Sequence, residues 1–365
     1  MLRSIHRKRI TEDLWRLSDM DCLFFSCFPD GLFSQGIKEG RNPSQTTQAG
    51  QKFEKNYVKG FCSNNLDVEV LFFYRQYEEK EIYVEETYYK RIVSNYGCKL
   101  FGNVFKRTRI RYRFLKKRIK QFAKEKPNSF VMIDSLNPYS LMVTKIAKKN
   151  GLRVVSFLTD LVDFVHEPPT GLKRKIVHTL TKHLFYGQFK YTDLFVFISE
   201  NMKERIKIKS KPYVVVDGMC DVSDLDKLAP NSYEMRKTFI FGYMGIISRK
   251  FGLMNLVNGF IKSNCPNCEL HLYGDGDCLN DIKSINNPNI KCFGILPNEE
   301  IINLQRQVDV LVNPRPVSDE YTKFSFPSKT IEYMSSGTAT LTTKLPCIGE
   351  EYKSLLYSSP IQGSF

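Results

Sequence analysis

"VDVLVNPRPVSDEYTKFSFPSKTIEYMSSGTATL", residues 308–341, sets an apolar strand-like run before a polar loop and an amphipathic helix. Pro327 suits the first helical position, where its missing N–H costs nothing. The amides of Ser328, Lys329 and Thr330 would then point unpaired out of the helix start. Such a terminus attracts phosphate through its amides and its dipole, and Lys329 adds a full charge. Glu332, one turn further on, would repel phosphate. A carboxylate can instead accept two hydrogen bonds from a vicinal diol such as a ribose. Arg315, just past the strand, can supply another guanidinium. The plain alternative is an ordinary amphipathic helix with a surface Glu.

The strand–helix unit recurs on both sides of this stretch. In the N-terminal half, "DCLFFSCF", "DVEVLFFYR", "SFVMIDSL", "RVVSFLTD", "DLFVFISE" and "PYVVVDGM" read as strands. Helices are expected from near Gln48, over 138–150 and from Asn201. After a polar stretch the pattern restarts with "KTFIFGYMG", "CELHLYGDGD" and "IKCFG", interleaved with the helical "MNLVNGFIKS" and "EEIINLQRQ". Strands alternating with helices imply parallel βαβ units. The expected organisation is an extra tail over 1–20, an N-terminal domain over 21–225, a linker over 226–236 and a C-terminal domain over 237–365. Two doubly wound domains would turn the carboxyl ends of their sheets toward one cleft, where ligands bind.

A chain of 365 residues with 42% hydrophobic content has room for two such cores. Its net charge of +15 suits an anionic partner: nucleic acid, an acidic membrane or a phosphorylated substrate. There is no signal-peptide pattern and no run long enough to span a bilayer. The ten cysteines therefore read as reduced thiols of a cytosolic protein.

"FGYMGIISRKFG", residues 241–252, ends a strand at Gly242 and Gly245, where backbone amides can approach a ligand. Arg249 and Lys250 follow, and two cations beside free amides make a diphosphate site. The plain reading is a strand–loop–helix junction with surface bases. Asp275-Gly-Asp277 could bind Mg²⁺, but Gly274 and Gly276 mark the same residues as a strand–turn–helix junction. Cys265-Pro-Asn-Cys268 has zinc-like spacing without well-placed partners, and reads as a loop with two thiols. Residues 106–126 hold eleven Lys/Arg and one Glu, with Tyr112, Leu115, Ile119 and Phe122 on one helical face. Such a helix either packs into a core with a charged outer face or lies on an anionic membrane. His166, His178 and His183 have no ligand spacing.

Taken together, "YMGIISRKFGLMNLVNGF", "LHLYGDG", "VLVNPRP" and "TKFSFPSKTIEYMSSGTATL" resemble glycosyltransferases of family 4, the glycosyl transferases group 1 type with the GT-B fold. Bacterial members that assemble polysaccharides are the nearer likeness, with weaker support from "FLTDL", "VFISENMKERI" and "VVVDGMCD". The resemblance implies two Rossmann-like domains, with the donor nucleotide in the C-terminal one and the acceptor in the N-terminal one. It implies retaining sugar transfer without a metal or other cofactor. Carried over, Gly245, Arg249, Lys250, Gly274 and Arg315 attend the donor nucleotide, Ser328, Lys329 and Thr330 cap its diphosphate, and Glu332 holds the ribose. Asp160, ending "SFLTD", faces substrate hydroxyls. A second family Glu, eight residues before the ribose Glu, is Phe324 here, with Glu320 off register. The C-terminus reads as shortened, which puts activity in question. The implied partners are a nucleotide-sugar donor and a glycan or lipid-linked acceptor, with peripheral contact to the inner face of an anionic plasma membrane and no nucleic acid. The competing readings are a GT-B sugar-nucleotide epimerase, or an inactive relative that binds anionic membrane or nucleic acid through the basic helix.

Overall fold

The computed structural model describes residues 20–26, 49–74, 80–99, 101–165, 171–206, 208, 210–220 and 237–358. The expected tail up to residue 19, the linker over 226–236 and His166 lie outside the described residues. The chain divides into two compact units, residues 1–40 with 48–217, and residues 41–47 with 218–365.

The first unit is built on β1 (Cys22–Phe25), α1 (Ala49–Ser63), β2 (Val68–Tyr74), β3 (Glu81–Tyr88), β4 (Arg91–Lys99), α2 (Val104–Glu125), β5 (Phe130–Asp134), α3 (Ser140–Lys149), β6 (Arg153–Leu158), α4 (Val162–Val165), α5 (Leu172–Gln188), β7 (Leu194–Phe197), α6 (Met202–Arg205) and β8 (Tyr213–Val215). Its sheet runs β3-β4-β2-β1-β5-β6-β7-β8. Every pairing is parallel except β3 with β4. All four β1 residues are buried, because helices cover both faces of a parallel sheet and leave no room for alternation.

The β3–β4 hairpin is not expected from the sequence. Its strands mix charged and aromatic residues, and its turn is Tyr89-Lys90, with φ of 50° and 66° in place of the usual Asn-Gly. Helix α5 is likewise unexpected, while the helix expected from Asn201 is the single turn α6.

The basic helix α2 settles into the core. Asn103 caps it, its side chain accepting from the Lys106 amide at 2.9 Å. Phe114, Leu115, Ile119 and Phe122 are buried against Leu23, Val131 and Ile133. Arg118 and Arg111 lie over the rings of Tyr96 and Tyr139. Three of the four residues expected on a membrane-facing stripe are therefore core, and only Tyr112 is exposed.

The second unit comprises β9 (Phe239–Met244), a 3₁₀ turn (Arg249–Phe251), α7 (Leu253–Ser263), β10 (Cys268–Tyr273), α8 (Leu279–Ser284), β11 (Ile290–Gly294), α9 (Asn298–Gln305), β12 (Val310–Asn313), a 3₁₀ turn (Glu320–Lys323), α10 (Ser328–Ser335), β13 (Ala339–Thr342) and β14 (Tyr357–Ser358). Its parallel sheet runs β11-β10-β9-β12-β13-β14, the 3-2-1-4-5-6 order of a doubly wound dinucleotide-type domain. Cys265 and Cys268 form a disulfide, which corrects the reading of every cysteine as a thiol. Asn264 and Asn267, at φ of 43° and 60°, curl the chain so that the two residues meet.

If α2 is a core helix, Leu115→Ala or Ile119→Ala will destabilise the chain by about 2–5 kcal/mol in denaturant unfolding. Lys116→Ala, on the exposed face, will change it by no more than about 0.5 kcal/mol.

Candidate functional site

In the second unit the strand order reverses between β9 and β12. Their pairing is confined to Val310↔Phe241 and Leu311↔Gly242, whereas β9 stays paired with β10 as far as Met244↔Tyr273. Beyond Gly242 the two strands part, and a crevice of this kind is where doubly wound sheets bind ligands. The hydroxyl of Tyr333, from α10, fills the base of the split. It accepts from the Met244 amide at 2.9 Å and donates to the Met244 carbonyl at 3.3 Å. The side chain is fully buried, and burial raises its pKa well above the phenol range. A second tie joins α10 to β12, the Asn313 amide donating to the buried Thr330 hydroxyl at 3.0 Å. The first turn of α10 is thus fixed over the carboxyl ends of both strands.

The loop after β9 is hemmed in closely. A Cβ on Gly274, at φ +138°, would stand 1.8 Å from the Gly245 carbonyl oxygen, and one on Gly276 would stand 2.3 Å from that of Ile247. On its other side lies Lys329. A Cβ on Gly245 would come within 2.0 Å of Lys329 Cε and 2.8 Å of its Nζ. The structure therefore brings Gly245, Gly274 and Lys329 together, and the bare Cα of Gly245 makes space for the lysine.

The cations gather nearby. Arg249 Nη2 pairs with Asp281 at 2.5 Å, both side chains being more than half exposed. Lys250 lies over the Tyr321 ring at 5.1 Å. Arg315 lies over Phe251 and Tyr321 and donates to the Ser325 carbonyl at 3.2 Å. Ser328 is exposed, and Lys329 and Glu332 are half-buried.

Several expectations need correction. The Gly245 amide is not open to a ligand, because it donates to the Tyr273 carbonyl at 2.8 Å and so extends the β9–β10 pairing. The Thr330 amide donates to the Pro327 carbonyl at 2.9 Å. Its hydroxyl faces inward to Asn313, so Thr330 positions the helix tip. Phe324 is buried and Glu320 exposed. Asp275 and Asp277 accept from the amides of Gly276 and Arg249, at 2.8 Å and 3.3 Å, which suits a turn junction.

Asp160 belongs to the first unit, just past β6. Asp134, ending the neighbouring strand β5, escapes the sequence reading. Burial pushes its carboxyl up to about 7; the Leu136 amide, donating at 2.8 Å, opposes the rise, and the Asp160 charge adds to it. The signal for it was available: Asp134 closes the apolar run of β5, much as Thr159-Asp160 follows that of β6. Asp134 also stands at the first unit's own switch point, between β1 and β5. A small pocket of about 30 Å³ lies between α1 and the β1-β2-β4-β3 side of this sheet, its polar lining Ser26, Glu54, Lys55, Glu86, Tyr88 and Asn95. Ser26 donates to Glu54 at 2.5 Å, while Tyr88 and Asn95 donate to Glu86 at 3.1 Å and 3.4 Å.

Residues 238–358 match the family described as Glycosyl transferases group 1. Solved structures share the fold over most of the chain. The lipopolysaccharide outer core galactosyltransferase WaaB, in its apo form, is 17% identical, with a TM-score of 0.57 over 91% of this chain and 82% of its own. An alpha,alpha-trehalose-phosphate synthase (UDP-forming) from Burkholderia xenovorans, in complex with glucose-6-phosphate, is 7% identical, with a TM-score of 0.57 over 93% and 88%. Anabaena HepE, in complex with UDP, is 12% identical, with a TM-score of 0.54 over 94% and 86%. No curated protein matches the sequence. The fold is that of GT-B glycosyltransferases, and the family match over the second unit supports a glycosyltransferase of this type.

Gly245→Ala will displace the flexible Lys329 side chain and leave the melting midpoint close to that of the wild type. Gly274→Ala meets backbone at a positive φ and will lower stability by more than about 1 kcal/mol. Asp134 gives a pH signature. Between about pH 4 and pH 7 the folded chain keeps a proton that the unfolded chain has lost, so this group's stabilisation is present at low pH and disappears as pH rises through about 7. Asp134→Asn removes that slope. The variant will gain on the wild type by up to about 4 kcal/mol from pH 4 to pH 8 in denaturant titrations.

Proposed function

We propose that the protein is a retaining glycosyltransferase of family 4, moving a sugar from a nucleoside-diphosphate sugar to a lipid-linked or polysaccharide acceptor. The observation that carries this reading is the Lys329 side chain lying across the bare Gly245 at the β9–β12 split, with Arg249, Lys250 and Arg315 on the adjoining loops. In this reading the diphosphate lies along that row of cations. The exposed amide end of α10 meets it at Ser328, and Glu332 accepts from the ribose hydroxyls. As the glycosidic bond breaks, negative charge grows on the leaving diphosphate, and cations already in position stabilise it without reorganising. The departing phosphate takes the acceptor proton on the same face of the sugar, so the reaction calls for neither metal nor strong protein base.

Arg249 changes partner in this scheme. Its ion pair with Asp281 is a surface pair, worth about 0–1 kcal/mol, which a diphosphate readily displaces. The acceptor belongs to the first unit, where Asp160 handles a substrate hydroxyl. The setting is cytoplasmic, in assembly of a cell-envelope polysaccharide. HepE is seen with UDP and the Burkholderia synthase is UDP-forming, so a uridine nucleotide is the first donor to try.

Thermal unfolding with a panel of nucleoside diphosphates, with and without Mg²⁺, tests the donor site. One base should stabilise the wild type by about 2.7 kcal/mol at a hundredfold excess over Kd, independently of Mg²⁺. Lys329→Ala and Glu332→Ala should each abolish most of that gain. A cooperatively melting wild type that responds to none of the nucleotides, or variants that respond as it does, would overturn the reading.

A further inference from the structure

Tyr321, on the 3₁₀ turn Glu320–Lys323, meets two cations at once. Lys250 Nζ lies over its ring at 5.1 Å from the centroid, and the Arg315 guanidinium at 5.5 Å. Both distances are within the range of a cation–π contact. The two cations come from the loop after β9 and from the end of β12, and the ring comes from a third segment. Arg315 also meets a second ring, Phe251, at 5.4 Å.

The backbone holds these three segments against one another. Gly252, at φ +82°, lets the turn that carries Lys250 and Phe251 press on the end of β12: a Cβ there would stand 2.0 Å from the Pro314 carbonyl oxygen. The Arg315 carbonyl accepts from the Thr343 hydroxyl at 2.6 Å, and its guanidinium donates to the Ser325 carbonyl at 3.2 Å. The turn that carries Tyr321 is anchored by the fully buried Thr322, whose hydroxyl donates to the Asp319 carbonyl at 2.6 Å. The Phe324 and Ser325 amides both donate to the Tyr321 carbonyl at 3.0 Å. The half-buried Tyr321 ring thus stands on a fixed backbone, whereas the Lys250 side chain is exposed. Two like charges brought close together repel, and a long cationic side chain loses rotamer freedom when a ligand orders it. The ring opposes both effects. Its face attracts each cation and leaves N–H groups to donate elsewhere.

We infer that Tyr321 is a positioning residue for a nucleoside diphosphate, its ring holding Lys250 and Arg315 together before the ligand arrives. The inference rests on the donor-site reading and adds to it a group that carries no charge. Two cations held in one place favour a ligand with two phosphates over a ligand with one, because a monophosphate can be met by Lys329 and the start of α10 alone. Tyr321 therefore sets how strongly the site prefers the diphosphate. Phe251 is the lesser candidate, since it meets Arg315 only. The contact is with the ring face, so phenylalanine serves at position 321 as well as tyrosine does, and leucine does not.

The test is calorimetric titration of the full chain with uridine, guanosine, adenosine and thymidine diphosphates and with the matching monophosphates. Wild type is compared with Tyr321→Leu, Tyr321→Phe and Lys329→Ala, each checked by its melting midpoint. Tyr321→Leu should weaken the diphosphate that wild type binds by about five- to tenfold, and the monophosphate by less than about twofold. Tyr321→Phe should bind both like wild type. In a double-mutant cycle, the losses from Tyr321→Leu and Lys250→Gln should not add, since the ring acts through the lysine. Should Tyr321→Leu fail to melt cooperatively, Tyr321→Met takes its place with the same expectation. Equal losses for diphosphate and monophosphate, a ring-less variant that keeps the wild-type preference, or a Tyr321→Phe that loses as much as Tyr321→Leu would overturn the inference. The donor-site reading stands through any of these as long as Lys329→Ala loses binding. A wild type that binds none of the nucleotides overturns that reading and this inference together.

Discussion

The second unit depends on a split between two strands that is closed at its base by one phenol. Strands β9 and β12 pair over two residues and then diverge, which exposes the β12-facing edge of β9 at Met244. Unpaired backbone groups in the interior cost about 1–3 kcal/mol each, and the Tyr333 hydroxyl satisfies both the amide and the carbonyl there. The same bonds set where α10 begins. With Asn313 holding Thr330 from the neighbouring strand, the helix start and Lys329 have a fixed place above the opening. The opening, the helix and the lysine are consequences of one strand separation.

The glycines around this opening act through what they leave empty. Gly274 and Gly276 let the turn after β10 press against the carbonyls of Gly245 and Ile247, and Gly245 leaves room for Lys329. Three segments distant in sequence thus meet at the end of one strand. Of the cations there, Arg249 pairs with an exposed carboxylate and Lys250 lies over an aromatic ring, so neither is held in a buried network. The first unit is different in kind. Asp134 is a desolvated carboxyl next to Asp160, its proton held into the neutral range by burial, and the nearby chemistry is carboxylate, amide and hydroxyl. The second unit thus gathers cations at its strand ends, and the first a desolvated carboxyl beside Asp160.

The legible part of the sequence is particular. The run before Asn313 and the Pro327-Ser328-Lys329 start of α10 could be placed because strand, loop and helix signals adjoin there. Gly245, Arg249 and Lys250 could be placed for the same reason. The hairpin of β3 and β4 could not, since it turns on Tyr89-Lys90 and its strands mix charged, polar and aromatic residues. Asp134 was missed beside an Asp160 that was found, although both follow apolar runs, because no local pattern shows which carboxyl the fold desolvates. Local spacing also suggested an open amide at Gly245, while the partner that occupies it, Tyr273, is the last residue of another strand.

The two amphipathic basic helices show where sequence stops. Period and charge mark a helix with an apolar side, and on those grounds α2 is the stronger candidate for a surface role. In the folded unit α2 packs Leu115, Ile119 and Phe122 into the core, while α5 leaves Leu172, Ile176 and Leu180 uncovered. Local period and turn signals marked most of the alternating strands and helices, though not the β3–β4 hairpin or α5, and hence the parallel α/β class, because such signals act over a few residues. Only the tertiary structure decided which apolar faces are buried, which amides are taken and which carboxyl keeps its proton. Each of those is set by a partner far along the chain that no local pattern names.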